Sequence, residues 1–448
     1  MLLNETHDPG LQSWVASAHK ADTDFPIQNL PYGVFRRQQG AEAWRGGVAI
    51  GDAILDLAAL AALPDHERPL DSGAAQALQA ASLPRLNALM ALGPAAWRAL
   101  RLALSRGLRV GAPQAAAWRA CLVPQAEAEY QLPVEVGNYT DFFTSAHHAL
   151  NAGRVFQPGR ELLTQFKWLP IGYHGRASTV AISGTALQRP AGQIMLPGQN
   201  RPVYAPTRQL DFELELGVLV GPGNALGQTL DLPQAEQQLF GLCLLNDWSA
   251  RDIQAWEAVP LGPFMAKNFL STVSPWVVTF EALAPFRVPL PRSADDPPPL
   301  PYLDHPVQTT LGAIDIELEA LLLPAGQASA LRLCQTNYRH AYWSAAQMLT
   351  QHSSNGCRLQ AGDLLGTGTL SGPEPEQAAC LLELTQGGRQ ALTLPGPTQR
   401  HWLEDGDTVV LHGWCQREGA ARIGFGECRG QVVPHATAQG PEAALNSA

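Results

Sequence analysis

After about residue 138 the chain consists of short hydrophobic runs separated by Pro- and Gly-rich breaks. Short apolar or alternating runs bounded by such breaks predict strands. The predicted strands are TVAISG (179–184), FELELGVLVG (212–221), LFGLCLLND (239–247), SPWVVTF (274–280), DIELEALLL (315–323), ACLLELTQ (379–386) and TVVLHGW (408–414). The main helical pattern in this part is at about 339–351. We therefore expect a mainly β (α+β) fold, with a mixed β-sandwich roll in this part.

The first 132 residues have a different pattern. YGVFRR (32–37) and GGVAIGDAILDLAAL (46–60) predict short strands with glycine-bearing turns. PAAWRALRLALSR (94–106) predicts a helix that begins at a proline and stops at Gly107. The pattern breaks within 123–137, and we place the domain boundary there, giving domains 1–132 and 133–448.

Composition narrows the function class. The chain has 448 residues, of which 46% are hydrophobic and 16% charged, with a net charge of −10. That charge argues against nucleic acid and anionic membranes as partners and is compatible with metal cations. No apolar run approaches the ~20 residues of a membrane span. The N-terminus does not resemble a signal peptide, and the seven scattered cysteines indicate reduced thiols. These features predict a cytoplasmic location.

The stretch LDFELELGVLV (210–220) places Asp211, Glu213 and Glu215 at alternate positions. Alternate side chains of a strand share a face. Unpaired buried carboxylates cost several kcal/mol, so this arrangement needs either solvent or a cation in front of it. A solvated sheet face is the simpler interpretation of Glu213 and Glu215, and spacing alone does not decide between the two.

Two further carboxylates are candidates for the same site. Asp247 ends the run LFGLCLLND, and Asp141 lies in NYTDFF. Four carboxylates suit Ca²⁺, Mg²⁺ or Mn²⁺ better than zinc. The alternative is that each caps a helix: Asp247 the segment WSARDIQAW, and Asp141 a short helix after it.

Candidate bases and donors lie nearby in the sequence. His148, in SAHHALNAG, is seven residues beyond Asp141 and is either a general base or a structural histidine. Arg251, Gln254 and Lys267 could together stabilise a developing oxyanion, whereas the simpler interpretation is a surface Asp–Arg pair on a helix. Glu383, which interrupts the predicted strand 379–386, is either an outward polar position or the partner of a buried group.

Several known motifs are missing. GTGTLSGPEPE (366–376) is not a G-x-G-x-x-G loop, and its prolines prevent an immediate helix, so a phosphate cradle is not supported and a tight turn lining a pocket fits better. No G-x-S-x-G elbow and no P-loop occurs.

Seven segments together resemble the fumarylacetoacetate hydrolase family. They are YTDFF, HHALNAG, LPIGYHGRAS, LDFELELG, LLNDWSARDIQAWEAVPLGPF, HSSNGCRL and GTGTLSGPEPE, and the resemblance runs from LPYGVF near the start to GFGECRG near the end. The resemblance covers nearly the whole chain. It implies a small SH3-like N-terminal barrel, a larger catalytic β-roll, a homodimer, and metal-dependent hydrolysis of 4-fumarylacetoacetate to fumarate and acetoacetate, the last step of tyrosine and phenylalanine catabolism.

The resemblance also assigns roles to residues. The implied metal is Ca²⁺, with Mg²⁺ nearby and Mn²⁺ as a possible substitute, and the implied catalytic pair is His148, which activates water, with Glu383 orienting its ring. The implied metal environment comprises Asp141, Glu213, Glu215, Asp247, Lys267 and Ser271. The implied catalytic donors and substrate contacts are Arg251, Gln254, Lys267, Phe143, Gln157, Tyr173 and Thr369.

Three positions depart from the family pattern. Phe143 and Ala258 stand where the family commonly has tyrosine, and Gln157 stands where it has arginine. These departures motivate a second hypothesis, a hydrolase of another β-diketone or of acylpyruvates. A third hypothesis, from another class, is a catalytically silent binding or scaffold protein that keeps the metal site.

Overall fold

The computed structural model describes residues 3–38, 41–156, 159, 161–394 and 399–436. Within these ranges, the N-terminal part has five strands and five α-helices. The strands are β1 (Tyr32–Arg37), β2 (Arg45–Ile50), β3 (Ala53–Asp56), β4 (Leu122–Pro124) and β5 (Ala128–Gln131). The helices are α1 (Leu57–Ala62), α2 (Ser72–Ala81), α3 (Asn87–Ala91), α4 (Pro94–Leu108) and α5 (Ala115–Arg119). The strands form one antiparallel sheet in the order β4-β3-β2-β1-β5.

The rest of the chain is richer in strands. Its strands are β6 (Tyr139–Phe142), β7 (Gly172–His174), β8 (Val180–Ile182), β9 (Leu187–Gln188), β10 (Ala191–Ile194), β11 (Val203–Pro206), β12 (Leu210–Asp211), β13 (Leu214–Val220), β14 (Leu239–Asp247), β15 (Ser249–Ala250), β16 (Ser271–Val273), β17 (Val278–Thr279), β18 (Arg287–Val288), β19 (Ala313–Ile314), β20 (Glu317–Leu323), β21 (Leu331–Asn337), β22 (Leu364–Gly366), β23 (Leu392–Thr393), β24 (Gln399–Arg400), β25 (Thr408–Cys415) and β26 (Ile423–Val433). Its helices are α6 (Ala146–Phe156), α7 (Leu232–Gln238), α8 (Arg251–Glu257), α9 (Pro306–Leu311), α10 (Ala345–Ser353) and α11 (Leu381–Leu384).

Two larger sheets organise this part. One has eight strands in the order β7-β6-β22-β13-β14-β16-β8, with β17 also paired to β14, and the other has five in the order β21-β20-β25-β26-β9. Leu214, Leu216 and Val218 of β13 belong to the core shared with the five-stranded sheet. Leu219, on the opposite face, belongs to the core shared with the N-terminal part. The fold is therefore mixed α and β with many strands, as the sequence predicts.

The period-2 alternation positions the site. Because Leu214, Leu216 and Val218 point into one core, Glu215 and Gly217 point to the other face of β13. That face is apolar where the N-terminal part covers it and polar nearer the start of the strand. All residues of β13 are buried. The carboxylate of Glu215 is therefore not stabilised by solvent.

Some predicted elements differ in the structure. The helix predicted to stop at Gly107 runs on to Leu108, because Gly107 takes a helical conformation and the ring of Trp118 fills the space of its missing side chain, 2.2 Å from an ideal Cβ. The helix predicted at 339–351 begins only at Ala345, where Ser344 forms a capping box. SPWVVTF contributes only the two-residue strand β17.

The strand predicted at 379–386 is wrong, because this segment forms the short helix α11. The seven cysteines, all within the described ranges, are free thiols. None of the helices in the part of the chain that the structure covers has the length and apolar character needed to cross a membrane.

Candidate active site

Four carboxylates that are far apart in the sequence converge on the eight-stranded sheet. Asp141 lies in β6, Glu215 in β13 and Asp247 at the end of β14, while Glu213 immediately precedes β13. One oxygen from each lies within 4.8 Å of the others. All four residues are buried, with at most 4% of their surface exposed. Convergence follows from the strand order β6-β22-β13-β14, which places the three strands in one sheet with only β22 between them.

The simpler interpretations of these residues are wrong. Burial excludes a solvated sheet face for Glu213 and Glu215. Asp247 does not cap α8, whose N-cap is Ala250 without a side-chain hydrogen bond. Asp141 lies within a strand and not at a helix start.

A glycine makes the close approach of the carboxylates possible. Gly366 of β22 pairs with Asp141 on one side and with Gly217 on the other. An ideal Cβ at Gly366 would lie 2.6 Å from Asp141 Oδ1 and 3.1 Å from Glu215 Oε2. A side chain at this position would therefore occupy the space between two carboxylates.

We expect Gly366→Ala to lower the affinity for a divalent cation by about 10–100-fold, the range seen when groups that support metal ligands are changed. Isothermal titration calorimetry of metal-stripped protein with Ca²⁺, Mg²⁺ and Mn²⁺ measures this. Gly73→Ala is the control, because Gly73 lies in α2, where an added Cβ makes only ordinary contacts. Equal affinity of the two variants would contradict this account of Gly366.

The electrostatics of the cluster are unbalanced. Burial raises the pKa of Asp141 and of Glu215 well above the ordinary carboxyl value, and neighbouring carboxylates raise both further. Burial alone would also raise the pKa of Glu213, but Lys267 and Arg251 lower it well below that value. The positively charged side chains of the protein therefore stabilise the ionised forms of Asp141 and Glu215 poorly.

The donor set fits a divalent cation. Lys267 Nζ contacts Glu213 Oε2 and lies 2.7 Å from Asp247 Oδ2. Asp141 Oδ1 and Glu215 Oε1 have no hydrogen-bond partner among the described residues. Unpaired buried carboxylate oxygens are costly, and oxygen-only sites suit hard cations. The residues could therefore hold a hard divalent ion.

His148 and Glu383 form a buried pair beside the cluster. His148 Nδ1 lies 2.6 Å from Glu383 Oε2. Glu383 also accepts hydrogen bonds from Asn151 Nδ2 at 2.9 Å and from Ser371 Oγ at 2.6 Å. Burial alone would raise the pKa of Glu383, but the charge and hydrogen bond of His148, with the two other donors, lower it to about 2. An ionised carboxylate only accepts, so Nδ1 carries the proton and Nε2 can receive one.

Arg251 is buried and does not form a surface pair with Asp247. Its Nε donates to Asp211 Oδ2 at 2.8 Å, and its Nη1 donates to Gln254 Oε1 at 3.1 Å. Its Nη2 lies 2.8 Å from Glu213 Oε1 but is not aligned for a hydrogen bond, and it has no other partner within the described ranges. This nitrogen is a donor that a ligand could use.

A cavity of about 760 Å³ opens in front of these groups, and Arg251, Gln254 and Lys267 all line it. Two of the predicted substrate contacts, Tyr173 and Thr369, line it too. The Tyr173 hydroxyl donates a hydrogen bond to Asp247 Oδ2 at 3.2 Å. The Thr369 hydroxyl is buried with no partner in the described part of the chain.

The other predicted residues fall in the same region, with one exception. Phe143 lines the cavity and packs edge-to-face on the ring of His148, with 5.2 Å between centroids. Ala258 also lines it. Ser271 Oγ donates to Asp247 Oδ1 at 2.9 Å. Gln157 lies outside the described residues, so its contact with substrate stays a prediction.

Sequence reasoning missed four residues that shape the site. Asn151 had a usable signal, because it lies three residues after His148 on a helix and so shares its face. The sequence indicates Asp211 as a carboxylate on a strand but does not indicate Arg251 as its partner. Gly366 and Ser371 lie in the stretch 366–376, which predicts a tight turn lining a pocket, but their individual roles depend on what other segments place beside them.

Comparison with known proteins identifies the relatives. Residues 28–133 match the fumarylacetoacetase N-terminal family, and residues 138–433 match the fumarylacetoacetate (FAA) hydrolase C-terminal family. The chain belongs to the fumarylacetoacetate hydrolase family. Fumarylacetoacetases of Bos taurus and Homo sapiens are each 46% identical to it, over 419 and 424 residues, covering 92% of this chain and 97% of each relative. A fumarylacetoacetase of Oryza sativa subsp. japonica is also 46% identical over 418 residues, covering 92% of this chain and 95% of the relative.

Among solved structures, the match described next is more distant in sequence. A fumarylacetoacetate hydrolase from psychrophilic Exiguobacterium antarcticum aligns with a TM-score of 0.48 at 16% identity, covering 91% of this chain and 100% of that chain. The family assignment therefore stands on the sequence matches.

Proposed function

We propose that this protein is an enzyme that hydrolyses a carbon–carbon bond of 4-fumarylacetoacetate to give fumarate and acetoacetate. This reaction is the last step of tyrosine and phenylalanine catabolism. The relatives at 46% identity are fumarylacetoacetases and match along nearly their whole length. The observation that carries the proposal is that His148, which is paired with the buried Glu383, lines one cavity together with Asp141 and Glu213 of the four-carboxylate cluster.

His148 would activate the attacking water. Glu383 holds the imidazole through Nδ1 and supports the positive charge that develops on the ring, as the carboxylate of a catalytic triad does. Nε2 then takes a proton from water, a step that suits a histidine near neutral pH. Water supplies both the new carboxylate oxygen of fumarate and the proton gained by the terminal carbon of acetoacetate.

Arg251, Gln254 and Lys267 would hold the attacked carbonyl. When water adds to this carbon, its oxygen gains negative charge. The guanidinium of Arg251, whose Nη2 makes no aligned hydrogen bond, and the ammonium of Lys267 place positive charge at the cavity wall. Both donors are already fixed by carboxylates, so little reorganisation is needed during the reaction. Tyr173, Thr369, Phe143 and Gln157 are proposed as further substrate contacts.

We propose Ca²⁺ as the ion held by Asp141, Glu213, Glu215 and Asp247. A Mg²⁺ site around Asp247, Lys267 and Ser271 is proposed beside it, with Mn²⁺ as a possible substitute. When bound, such cations supply positive charge next to a leaving group that departs as an enolate. The bare oxygens of Asp141 and Glu215 support this proposal.

A substrate and metal series tests the function. Metal-stripped protein is assayed on fumarylacetoacetate with Ca²⁺, Mg²⁺ and Mn²⁺ restored one at a time, and on acylpyruvates in parallel. We expect no turnover without metal, and fumarylacetoacetate to be the faster substrate. Faster turnover of acylpyruvates would move the substrate assignment to them. Full activity without metal would contradict the role of the carboxylate cluster.

The organisation of the protein is proposed on separate grounds. One family match ends at residue 133 and the other begins at residue 138, which supports a boundary at 132/133. An SH3-like N-terminal domain is proposed from the five-stranded antiparallel sheet of this part. Val259, Leu261 and Phe264 are 88%, 96% and 65% exposed, and this apolar surface supports a homodimer. A cytoplasmic location is proposed from the reduced thiols.

A further inference from the structure

Asp211 lies two residues before Glu213 but belongs to a different structural unit. It ends β12, which pairs with β15 and not with the eight-stranded sheet. It is fully buried and is not among the four clustered carboxylates. Its two oxygens instead accept four hydrogen bonds from within the protein.

Two of these bonds hold the start of α11. Asp211 Oδ1 accepts from the backbone N–H of Leu381 at 2.7 Å, and Oδ2 accepts from that of Leu382 at 2.9 Å. The first N–H groups of a helix have no partner within the helix, and the N-cap residue Cys380 supplies no side-chain bond. A carboxylate 170 residues away in the sequence therefore caps the turn that carries Glu383.

The remaining bonds fix Arg251 and the strand itself. Oδ2 of Asp211 accepts from Arg251 Nε at 2.8 Å, and Oδ1 accepts from the N–H of Phe212 at 2.9 Å. Arg251 Nε is thereby held in one direction, while Nη2 of the same guanidinium lies 2.8 Å from Glu213 Oε1 and the residue lines the cavity. One carboxylate is bonded both to the turn bearing Glu383 and to the guanidinium proposed to hold the carbonyl.

We infer that Asp211 is a positioning residue that sets the spacing between Glu383 and Arg251. It touches neither substrate nor cation, and it acts through those two residues. The inference rests on the proposed function, because both residues have their roles there. Correct spacing matters because a displacement of about 1 Å in a catalytic group can cost about 100-fold in rate.

Asp211→Asn tests this with little change in volume. The amide oxygen cannot accept all four bonds, and the amide nitrogen would face N–H donors. We expect kcat to fall about 100-fold and KM to change less. In the Glu383→Gln and Arg251→Ala backgrounds the same change should cost less, and least in the double background, because one or both of the residues it acts through are already altered. An equal fold loss in every background, or a native kcat, would overturn the inference.

Asp407→Asn is the matched control. Asp407 is also fully buried, bonds to Arg400 Nε at 3.1 Å and accepts from the N–H of Glu404 at 2.9 Å. It does not line the cavity. We expect this variant to lose thermal stability as Asp211→Asn does but to keep native kcat well below its Tm. A similar fall in kcat for both variants would reduce Asp211 to a general stabilising role.

Two further measurements complete the test. Nitrogen-15 NMR of labelled histidines, assigned with His148→Ala, reads the His148–Glu383 hydrogen bond without any substrate. We expect Asp211→Asn to shift this signal and Asp407→Asn to leave it unchanged.

If the native protein does not hydrolyse fumarylacetoacetate, the proposed function fails, while this NMR result still decides whether Asp211 positions Glu383. If Asp211→Asn does not fold, Asp211→Glu, which displaces the carboxylate by one methylene, is tested against the same kcat criterion.

Discussion

His148→Ala is expected to lower kcat by about 10²–10⁴-fold, the usual contribution of a positioned general base. The variant keeps the cavity and the carboxylate cluster but has no group at the Nε2 position to take a proton from water. KM should change little, because the proposed substrate contacts remain. Steady-state hydrolysis of fumarylacetoacetate with metal present measures both constants.

The adjacent histidine provides the control for this experiment. His147 packs against His340 with 6.3 Å between ring centroids and does not line the cavity. His147→Ala should therefore keep kcat within a few-fold of native. An unchanged rate in His148→Ala would remove the mechanism proposed for this site, whatever the result for His147.

Glu215→Gln is expected to weaken divalent cation binding by more than the roughly 10–100-fold typical of a change in a supporting residue. Glu215 is fully buried, and its Oε2 accepts from the N–H of Gly368 at 3.0 Å. Glutamine keeps the volume and this bond but removes the charge that faces the cation. Calorimetric titration of stripped protein with Ca²⁺ measures the loss, and hydrolysis should fall in parallel.

The same variant should have the opposite effect on the metal-free fold. Burial, together with Asp141, Glu213 and Asp247, raises the pKa of Glu215, so its charged form is disfavoured in the folded state. Metal-free Glu215→Gln should therefore unfold at a Tm equal to or above that of metal-free native protein. Added Ca²⁺ should raise the Tm of native protein only.

A buried glutamate outside the site controls for the substitution itself. Glu281 accepts from Asn4 Nδ2 at 2.7 Å and lies 3.6 Å from Arg98. Glu281→Gln should keep native Ca²⁺ affinity. Strong Ca²⁺ binding by Glu215→Gln would exclude Glu215 as a ligand and would leave the raised pKa without a functional explanation.

The sequence by itself determined the features that depend on neighbours along the chain. Alternation in β13 places Glu215 opposite the apolar side chains of Leu214 and Leu216. Helical spacing places Gln254 beside Arg251. These relations follow from the side-chain periods of the strand and the helix. They can therefore be predicted from the sequence without knowledge of the tertiary structure. The family resemblance added the grouping of distant residues, which periodicity alone does not provide.

Only the tertiary structure decided how distant segments meet. The segment 379–386 has the apolar composition of a strand, but α11 forms there with Asp211 bonded to its first N–H groups. Gly366 leaves room for the carboxylates only because its strand lies between β6 and β13. A local pattern predicts the direction in which a side chain points from its own helix or strand. It does not predict which helix or strand packs against that side chain, because strand pairing and burial depend on the packing of the whole chain.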